Sequence, residues 1–344
     1  MEKASISVYF VKSALEPVLA RGRSVDDLLR QAGISPSLVD LPQARVSARQ
    51  FGALWLGVAS VLDDELFGQD SRRMKVGSFA MLCRTLIQCE NLRGALLCMA
   101  RFFNLILDDV RCSLREADGC ASLVIEQTGT AAPRVLGHET LLMMQHGLAC
   151  WLIGRRIPIV AAAFAYPEPA RSAEYARMYC AQLRFEQAAT ELVFKRDYLA
   201  RPLVQSQRSA KEFIAAAPAN IVLKYKNSGG LAAQIRRHLR ATAGTEWPDF
   251  DAVAARLNLS DSTLRRRLLD EGQSFQSIKD QLRHDLAIHY LCHTGKSIAE
   301  VSADLGYAEV SAFHRAFKKW TGTRPGSYRE PGRPANAPDQ EIKR

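Results

Sequence analysis

The stretch IAEVSADLGYAEVSAFHRAFKKWTGTRPGSYR, from Ile298 to Arg329, decides the fold of the C-terminal part of this chain. Its first part carries apolar side chains at helical spacing, at Ile298, Val301 and Leu305. Gly306 then supplies a turn, and Phe313 and Phe317 lie one helical turn apart in the segment that follows. The pattern predicts two helices that pack through their apolar faces around a tight turn.

The second of these helices has a polar and basic face opposite its phenylalanines. With Phe313 and Phe317 turned inward, a step of about 100° per residue places the other side chains outward or at the edge. The candidate DNA-binding residues here are Ser311, His314, Arg315, Lys318 and Lys319. Such a face is typical of a helix-turn-helix that enters the major groove. The two lysines are expected to contact phosphates more than bases.

A second copy of this plan lies upstream. Residues 251–257 (DAVAARL) predict a helix, Asn258 and Leu259 a turn, and residues 260–269 (SDSTLRRRLL) a second helix with Ser260 as its N-cap. Its candidate DNA-binding residues are Ser262, Thr263, Arg265, Arg266 and Arg267. Arginine can hydrogen-bond a guanine edge or a phosphate through two donors. A lone basic hairpin is more often a solvated helix pair, but the duplication favours DNA binding.

Apolar residues between the two copies keep a spacing of three to four, at Phe275, Ile278, Leu282 and Leu286. This predicts one connecting helix, which would fix the separation of the two units.

Residues 231–329 resemble the DNA-binding domain of the AraC/XylS transcriptional regulators. The closing motif carries the resemblance: Gly306-Tyr307, Phe313, Phe317-Lys318-Lys319, Thr321-Gly322, Pro325 and Tyr328-Arg329. The resemblance implies an all-α domain whose two recognition helices enter successive major grooves of promoter DNA, about 34 Å apart. By motif position it assigns base reading to Ser262, Arg265 and Arg266, and to Ser311, His314 and Arg315. Ala308 departs from the family pattern, which usually has a capping residue there.

The chain of 344 residues is long enough for a further domain. We expect an effector-binding and dimerisation domain over 1–225, a linker over 226–230, the double helix-turn-helix domain over 231–330 and a disordered tail over 331–344.

The N-terminal part has an α+β pattern. Helices are predicted over 8–29, 48–62, 79–89, 92–107, 135–152 and 172–179, and short strands over 157–164, 182–186 and 191–194. A hairpin is predicted around Ala117-Asp118-Gly119, with Cys112 and Leu114 on one strand and Leu123 and Ile125 on the other.

This order of elements is similar to the ligand-binding domain of an AraC-type subfamily that includes ornithine-utilisation and fatty-acid-responsive regulators. The resemblance implies a small-molecule effector, either an amino acid or a fatty acid or other small amphiphile. It also implies a surface that can form a homodimer. It does not identify the pocket residues.

Composition limits the alternatives. The net charge of +10 suits a polyanionic partner, but it is spread over both halves of the chain and supports DNA binding only weakly. Eight cysteines without a paired framework indicate reduced thiols. No signal peptide and no membrane-spanning stretch is apparent, so we expect a cytoplasmic bacterial protein.

Catalytic and metal sites find little support. Thr294-Gly295-Lys296-Ser297 resembles the end of a P-loop, but Tyr290 stands where a glycine is required. His284, His289, Cys292 and His293 do not form an evident four-ligand set, and we expect no metal and no cofactor.

Three functions remain to be compared. The favoured one is a sequence-specific transcriptional regulator, an activator that contacts RNA polymerase and responds to an effector. The second is a DNA-binding protein whose N-terminal domain only dimerises or binds a protein partner. The third is an enzyme fused to a regulator, as in alkylation-repair proteins, but the chain lacks their Pro-Cys-His-Arg motif. We therefore expect no enzyme.

Overall fold

The computed structural model describes residues 5–41, 44–130, 132–169, 172–222, 231–240, 246–270, 273–321 and 323–328. The predicted linker and tail lie outside these ranges. The chain forms two compact units. Of the described residues, those within 12–28 and 52–222 form the mixed unit, and those within 5–11, 29–51 and 231–328 form the helical unit. Within the described residues, no helix is both long enough and apolar enough to span a membrane.

The first ten helices precede the DNA-binding region of the sequence. They are α1 (Val8–Leu19), α2 (Asp26–Gln31), α3 (Pro36–Val39), α4 (Ala48–Leu62), α5 (Ser78–Leu86), α6 (Leu92–Ile106), α7 (Val135–Leu152), α8 (Ser172–Met178), α9 (Gln207–Ala216) and α10 (Ala219–Val222). The strands are β1 (Ser5–Ser7), β2 (Arg45–Ser47), β3 (Val110–Ala117), β4 (Cys120–Gln127), β5 (Ala161–Ala163), β6 (Leu183–Arg184) and β7 (Thr190–Lys195).

A five-stranded sheet with the order β3-β4-β7-β5-β6 forms the frame of the mixed unit. Strands β3 and β4 pair antiparallel from Val110 opposite Gln127 to Ala117 opposite Cys120. Asp118 and Gly119 make the turn with φ of 48° and 73°, the left-handed pair that a tight two-residue hairpin requires. The predicted hairpin is therefore confirmed, and α6 and α7 pack against its strands.

Helix α7 matches the predicted span and is buried over most of its surface. Several other predicted elements differ from the structure: the strand predicted over 182–186 is only Leu183–Arg184, and the helix predicted over 79–89 is Ser78–Leu86. The helix predicted over 8–29 is divided into α1 and α2, because Gly22 turns the chain with a φ of +68°. The strand predicted over 157–164 is only Ala161–Ala163, because these residues pair with β7, and Ala162 and Ala163 pair also with β6.

The helical unit contains the remaining helices: α11 (Leu231–Arg240), α12 (Phe250–Arg256), α13 (Asp261–Asp270), α14 (Phe275–His293), α15 (Ile298–Asp304) and α16 (Val310–Thr321). A 3₁₀ helix, Pro325–Tyr328, follows. These elements bear out the all-α C-terminal fold with two helix-turn-helix units. A buried core of residues from α11 to α14, including Leu239, Leu264 and Leu282, stabilises the first helix-turn-helix unit.

Two N-terminal segments also belong to the helical unit, whereas the sequence places all of residues 1–225 in one domain. Strand β1 pairs antiparallel with β2, with Ser5 opposite Ser47. The Tyr328 hydroxyl donates a hydrogen bond to the main-chain oxygen of Arg45, and Cys292 Sγ lies 3.9 Å from Gln50 Nε2. These contacts explain why residues 29–51 group with the C-terminal helices.

Candidate nucleic-acid interface

The first helix-turn-helix consists of α12, a tight turn and α13. Asn258 occupies the turn with a φ of 52°, a left-handed conformation that asparagine tolerates better than most residues. On α13, Leu264 and Leu268 are buried in the core of the helical unit. Burial of this apolar stripe sets the rotation of α13 and leaves the side chains between the leucines in solvent.

Ser260 caps the N-terminus of α13, as predicted. Its hydroxyl oxygen accepts a hydrogen bond from the backbone N–H of Thr263 at 3.3 Å. It also donates to Thr263 Oγ1 at 2.9 Å and lies 3.2 Å from Ser262 Oγ. The cap therefore involves the side chains of two candidate DNA-binding residues, Ser262 and Thr263, and orients them at the start of the helix.

The three candidate arginines of α13 are exposed but differ in their surroundings. The guanidinium of Arg265 lies 5.3 Å from the centre of the Phe250 ring, a cation–π contact back to α12. Asp261 raises the pKa of Asp251, and the positive charge of Arg265 opposes that rise. Arg265 is thus held beside a ring and an acidic pair, whereas Arg266 and Arg267 extend from the outer surface of the helix.

The second helix-turn-helix consists of α15, the turn at Gly306 and α16. Ser297 begins α15 with a reciprocal cap: its hydroxyl accepts the Glu300 N–H at 3.2 Å, and Glu300 Oε2 accepts the Ser297 N–H at 2.6 Å. The Thr294–Ser297 segment is therefore a helix end followed by a cap, as expected from the sequence. Gly306 has a φ of 75°, which only glycine adopts without strain.

The inner face of α16 is aromatic. Phe313, Phe317 and Trp320 are buried, and Phe317 packs edge-on against Tyr328 with ring centres 5.1 Å apart. This packing orients the other face of the helix outward, where Ser311, Arg315, Lys318 and Lys319 are exposed. His314 is half-buried beside Phe313.

Helix α14 connects the two helix-turn-helix units, as predicted. One of its side chains contacts both of them. The guanidinium carbon of Arg283 lies 5.4 Å from the centre of the Trp247 ring and 5.4 Å from that of Tyr307. Its Nε atom donates to the Leu305 oxygen at 3.0 Å. Trp247 belongs to the core of the first unit, and Leu305 and Tyr307 flank the turn of the second.

The role of Arg283 was not predictable from the sequence, because its partners Trp247 and Tyr307 are far apart in the chain. Two histidines of α14 lie in different surroundings. His284 is buried edge-on to Trp320, with ring centres 5.8 Å apart, and His289 is exposed. Within the described ranges, no group of three or more His, Cys, Asp or Glu side chains is placed to hold a metal ion.

Comparisons with known proteins agree with this architecture. The family model of the arabinose-binding N-terminal domain of AraC transcription regulators matches residues 22–203, and a helix-turn-helix domain model matches residues 253–331. The ornithine utilization regulator of Pseudomonas aeruginosa is 28% identical over 335 residues, which cover 94% of this chain and 96% of that protein.

An uncharacterised HTH-type transcriptional regulator of Mycobacterium tuberculosis is 29% identical over 335 residues, covering 94% of this chain and 96% of that protein. Among solved structures, the transcriptional regulator CdpR from Pseudomonas aeruginosa is 21% identical and covers 88% of this chain and 96% of that chain, with a TM-score of 0.33. The match to the N-terminal family model extends over more than half of the chain, and the helix-turn-helix model follows it. The chain therefore belongs to the AraC family of DNA-binding transcription regulators.

Proposed function

We propose that this protein is a transcriptional activator whose N-terminal domain, residues 1–225, binds a small-molecule effector, and whose domain over residues 231–330 binds promoter DNA. The single observation that carries the DNA-binding part is the presence of two recognition helices, α13 and α16. Each has a buried apolar stripe and an exposed basic face. Its activity is regulation and not catalysis, as in the regulators it resembles.

The recognition residues divide by role. We assign base reading to Ser262, Arg265, Arg266, Ser311, His314 and Arg315, and phosphate contact to Thr263, Arg267, Lys318 and Lys319. The exposed positions of Arg266 and Arg315 support this assignment most strongly. Arg265 contacts the Phe250 ring in the chain without DNA. We expect this contact to break when Arg265 reads a base.

The effector is a small metabolite, an amino acid in the first instance and a fatty acid or other amphiphile in the second. The matched N-terminal family is named for arabinose binding, and the relative from Pseudomonas aeruginosa is named for ornithine utilization. Effector binding is expected to act through a homodimer and a contact with RNA polymerase, in the bacterial cytoplasm where promoter DNA lies.

The test is selection of DNA from a random pool by the full-length protein, followed by titration of the selected DNA with and without pooled metabolites. The proposal predicts one selected sequence and an affinity or promoter output that changes with one pool. Selection without any sequence preference would overturn the DNA-binding assignment. Sequence-specific binding that responds to none of the pools would support an N-terminal domain that only dimerises or binds a protein.

A further inference from the structure

A carboxyl group is buried on α7 in the mixed unit. Glu139 has no exposed surface, and its Oε1 atom accepts a hydrogen bond from the Tyr175 hydroxyl on α8. Its other oxygen, Oε2, has no hydrogen-bond partner among the described residues. A buried carboxyl oxygen without a partner costs free energy, because it has lost its hydration without a replacement. The arrangement is that of a site that another group completes.

A second buried polar atom close to Glu139 is in the same state. The Tyr179 hydroxyl is fully enclosed and has no hydrogen-bond partner among the described residues. Burial raises its pKa, and the proximity of Tyr166 and Glu139 raises it further. The Tyr179 hydroxyl and the Glu139 carboxyl therefore belong to one electrostatic environment that offers two unused oxygen acceptors.

Aromatic rings pack around the two tyrosines. Phe164 lies at the centre, with its ring centre 4.9 Å from that of Tyr175, 5.3 Å from Tyr179 and 5.2 Å from Phe185. The Tyr166 hydroxyl lies 3.4 Å from that of Tyr175. The faces of aromatic rings carry partial negative charge and attract cations. Rings and carboxyl together favour a positively charged group.

The charges around Glu139 also favour a positively charged ligand. Burial raises the pKa of this carboxyl to about 7, and the hydrogen bond from Tyr175 opposes the rise. The titratable groups that interact with it are Tyr175 and Tyr179 at α8, while Tyr166 contacts Tyr175 and His138 precedes Glu139 on α7. Burial lowers the pKa of His138 to about 4, so its ring is neutral at pH 7. None of these described groups supplies a positive charge.

We propose that Glu139, Tyr175 and Tyr179 bind the ammonium group of a small amine effector, with Phe164 and Phe185 packed on its carbon chain. An ammonium has three donors and no acceptor, so it matches a site made of oxygen acceptors and ring faces. The inference rests on the proposed function, because it names the chemical class of the effector of this domain.

Entry of an amine requires α8 to move. The ring contacts between Phe164 and the two tyrosines are direct, and they leave no space for a ligand between the rings. Helix α8 has seven residues and carries Tyr175, and Tyr179 follows it directly. A displacement of this short helix opens the carboxyl, so amine binding is coupled to the position of α8.

The experiment is thermal unfolding of the full-length protein with linear alkyl monoamines and diamines and with basic amino acids. Alkyl carboxylates and diols of equal length serve as controls. An amine should raise the unfolding temperature, and Glu139→Gln should abolish this shift while Glu168→Gln, at an exposed position, keeps it. Because the cation pairs with the ionised carboxylate, amine affinity should fall about tenfold per pH unit below about 7.

Tyr179→Phe removes one acceptor without removing the ring, and it keeps the inference testable if Glu139→Gln does not fold. This variant should weaken amine binding several-fold. No shift with any amine, or a shift that persists unchanged in both variants, overturns the site.

The same samples are assayed for DNA binding, which separates two kinds of failure. Sequence-specific DNA binding, together with a response to a carboxylate or diol, rejects the amine site and leaves the regulator function standing. If the full-length protein shows no sequence-specific DNA binding, the proposed function itself is rejected.

Discussion

The Nε atom of Arg283 donates a hydrogen bond to the main-chain oxygen of Leu305 at 3.0 Å, and this contact joins the connecting helix α14 to the turn of the second helix-turn-helix. The same guanidinium lies between the rings of Trp247 and Tyr307, at 5.4 Å from each. One side chain thus contacts the core of the first unit and the turn of the second. We expect it to set the separation of the two recognition helices.

Arg283→Lys should weaken binding to DNA that carries both half-sites by about tenfold, since one hydrogen bond and two cation–π contacts, worth about 0.5–1.5 kcal/mol each, lose their planar group. Binding to a single half-site should change little. The measurement is a titration of the two DNAs in parallel.

Arg237→Lys is the matched control, because Arg237 is exposed on α11. Insertion of half a helical turn of DNA between the half-sites should weaken DNA binding strongly for the wild type and less for Arg283→Lys. Equal penalties for both proteins would show that Arg283 does not set the spacing.

Arg315→Ala should cost about 1–3 kcal/mol on target DNA and relax the base preference at one position, because a base contact is lost. The check is competition between the target and its single-base variants. An unchanged ratio of target to random DNA affinity would show that Arg315 does not read a base.

Lys318→Ala should weaken target and random DNA about equally and reduce the dependence of affinity on salt, since a phosphate contact releases counterions. A titration over a range of salt concentrations measures this. A loss confined to the target would assign Lys318 to base recognition.

Ser297→Ala removes the reciprocal cap of α15 and should destabilise this helix by about 1 kcal/mol. Amide hydrogen exchange in α15 should become about fivefold faster. Ser297→Thr retains a hydroxyl and should exchange at nearly the wild-type rate. Equal acceleration in both variants would mean that the hydroxyl does not stabilise the helix.

Glu139 predicts a pH-dependent stability. Its pKa is about 7 in the folded chain and 4.5 without the fold, so the folded state favours the protonated acid. Its contribution is fully present below about pH 4.5 and is lost as pH rises through about 7, a change of roughly 3 kcal/mol. The stability of Glu139→Gln relative to the wild type should therefore rise between about pH 4.5 and 7 and stay constant above that range.

Unfolding midpoints of the wild type and Glu139→Gln at several pH values measure this gain without added amine. Glu168→Gln, at an exposed position, is the control variant. A stability difference that stays constant with pH would mean that Glu139 does not titrate in this range.

The sequence predicted the elements whose signals are local. Helices α7, α13, α14 and α16 follow from apolar periodicity, and the turn at Asp118 and Gly119 follows from the residues that tolerate positive φ. The caps of the two recognition units were equally local. These features need only neighbouring residues, so a single sequence contains them.

Features that depend on distant residues were not predictable. The contact of Tyr328 with Arg45 and the three partners of Arg283 join segments far apart in the chain. The sequence carries no local signal for the buried site at Glu139, because its partners Tyr175 and Tyr179 lie far along the chain. The shortness of β5 also reflects pairing with β6 and β7, which the local apolar run does not encode.

The most direct test of two recognition helices acting together is a base-resolution footprint of the full-length protein on its selected DNA. Two recognition helices that act together should give two protected clusters in successive major grooves on one face of the duplex, about 34 Å apart. Arg266→Ala should weaken protection in one cluster, and Arg315→Ala should weaken it in the other. A single cluster, or loss of the same cluster in both variants, would contradict the claim.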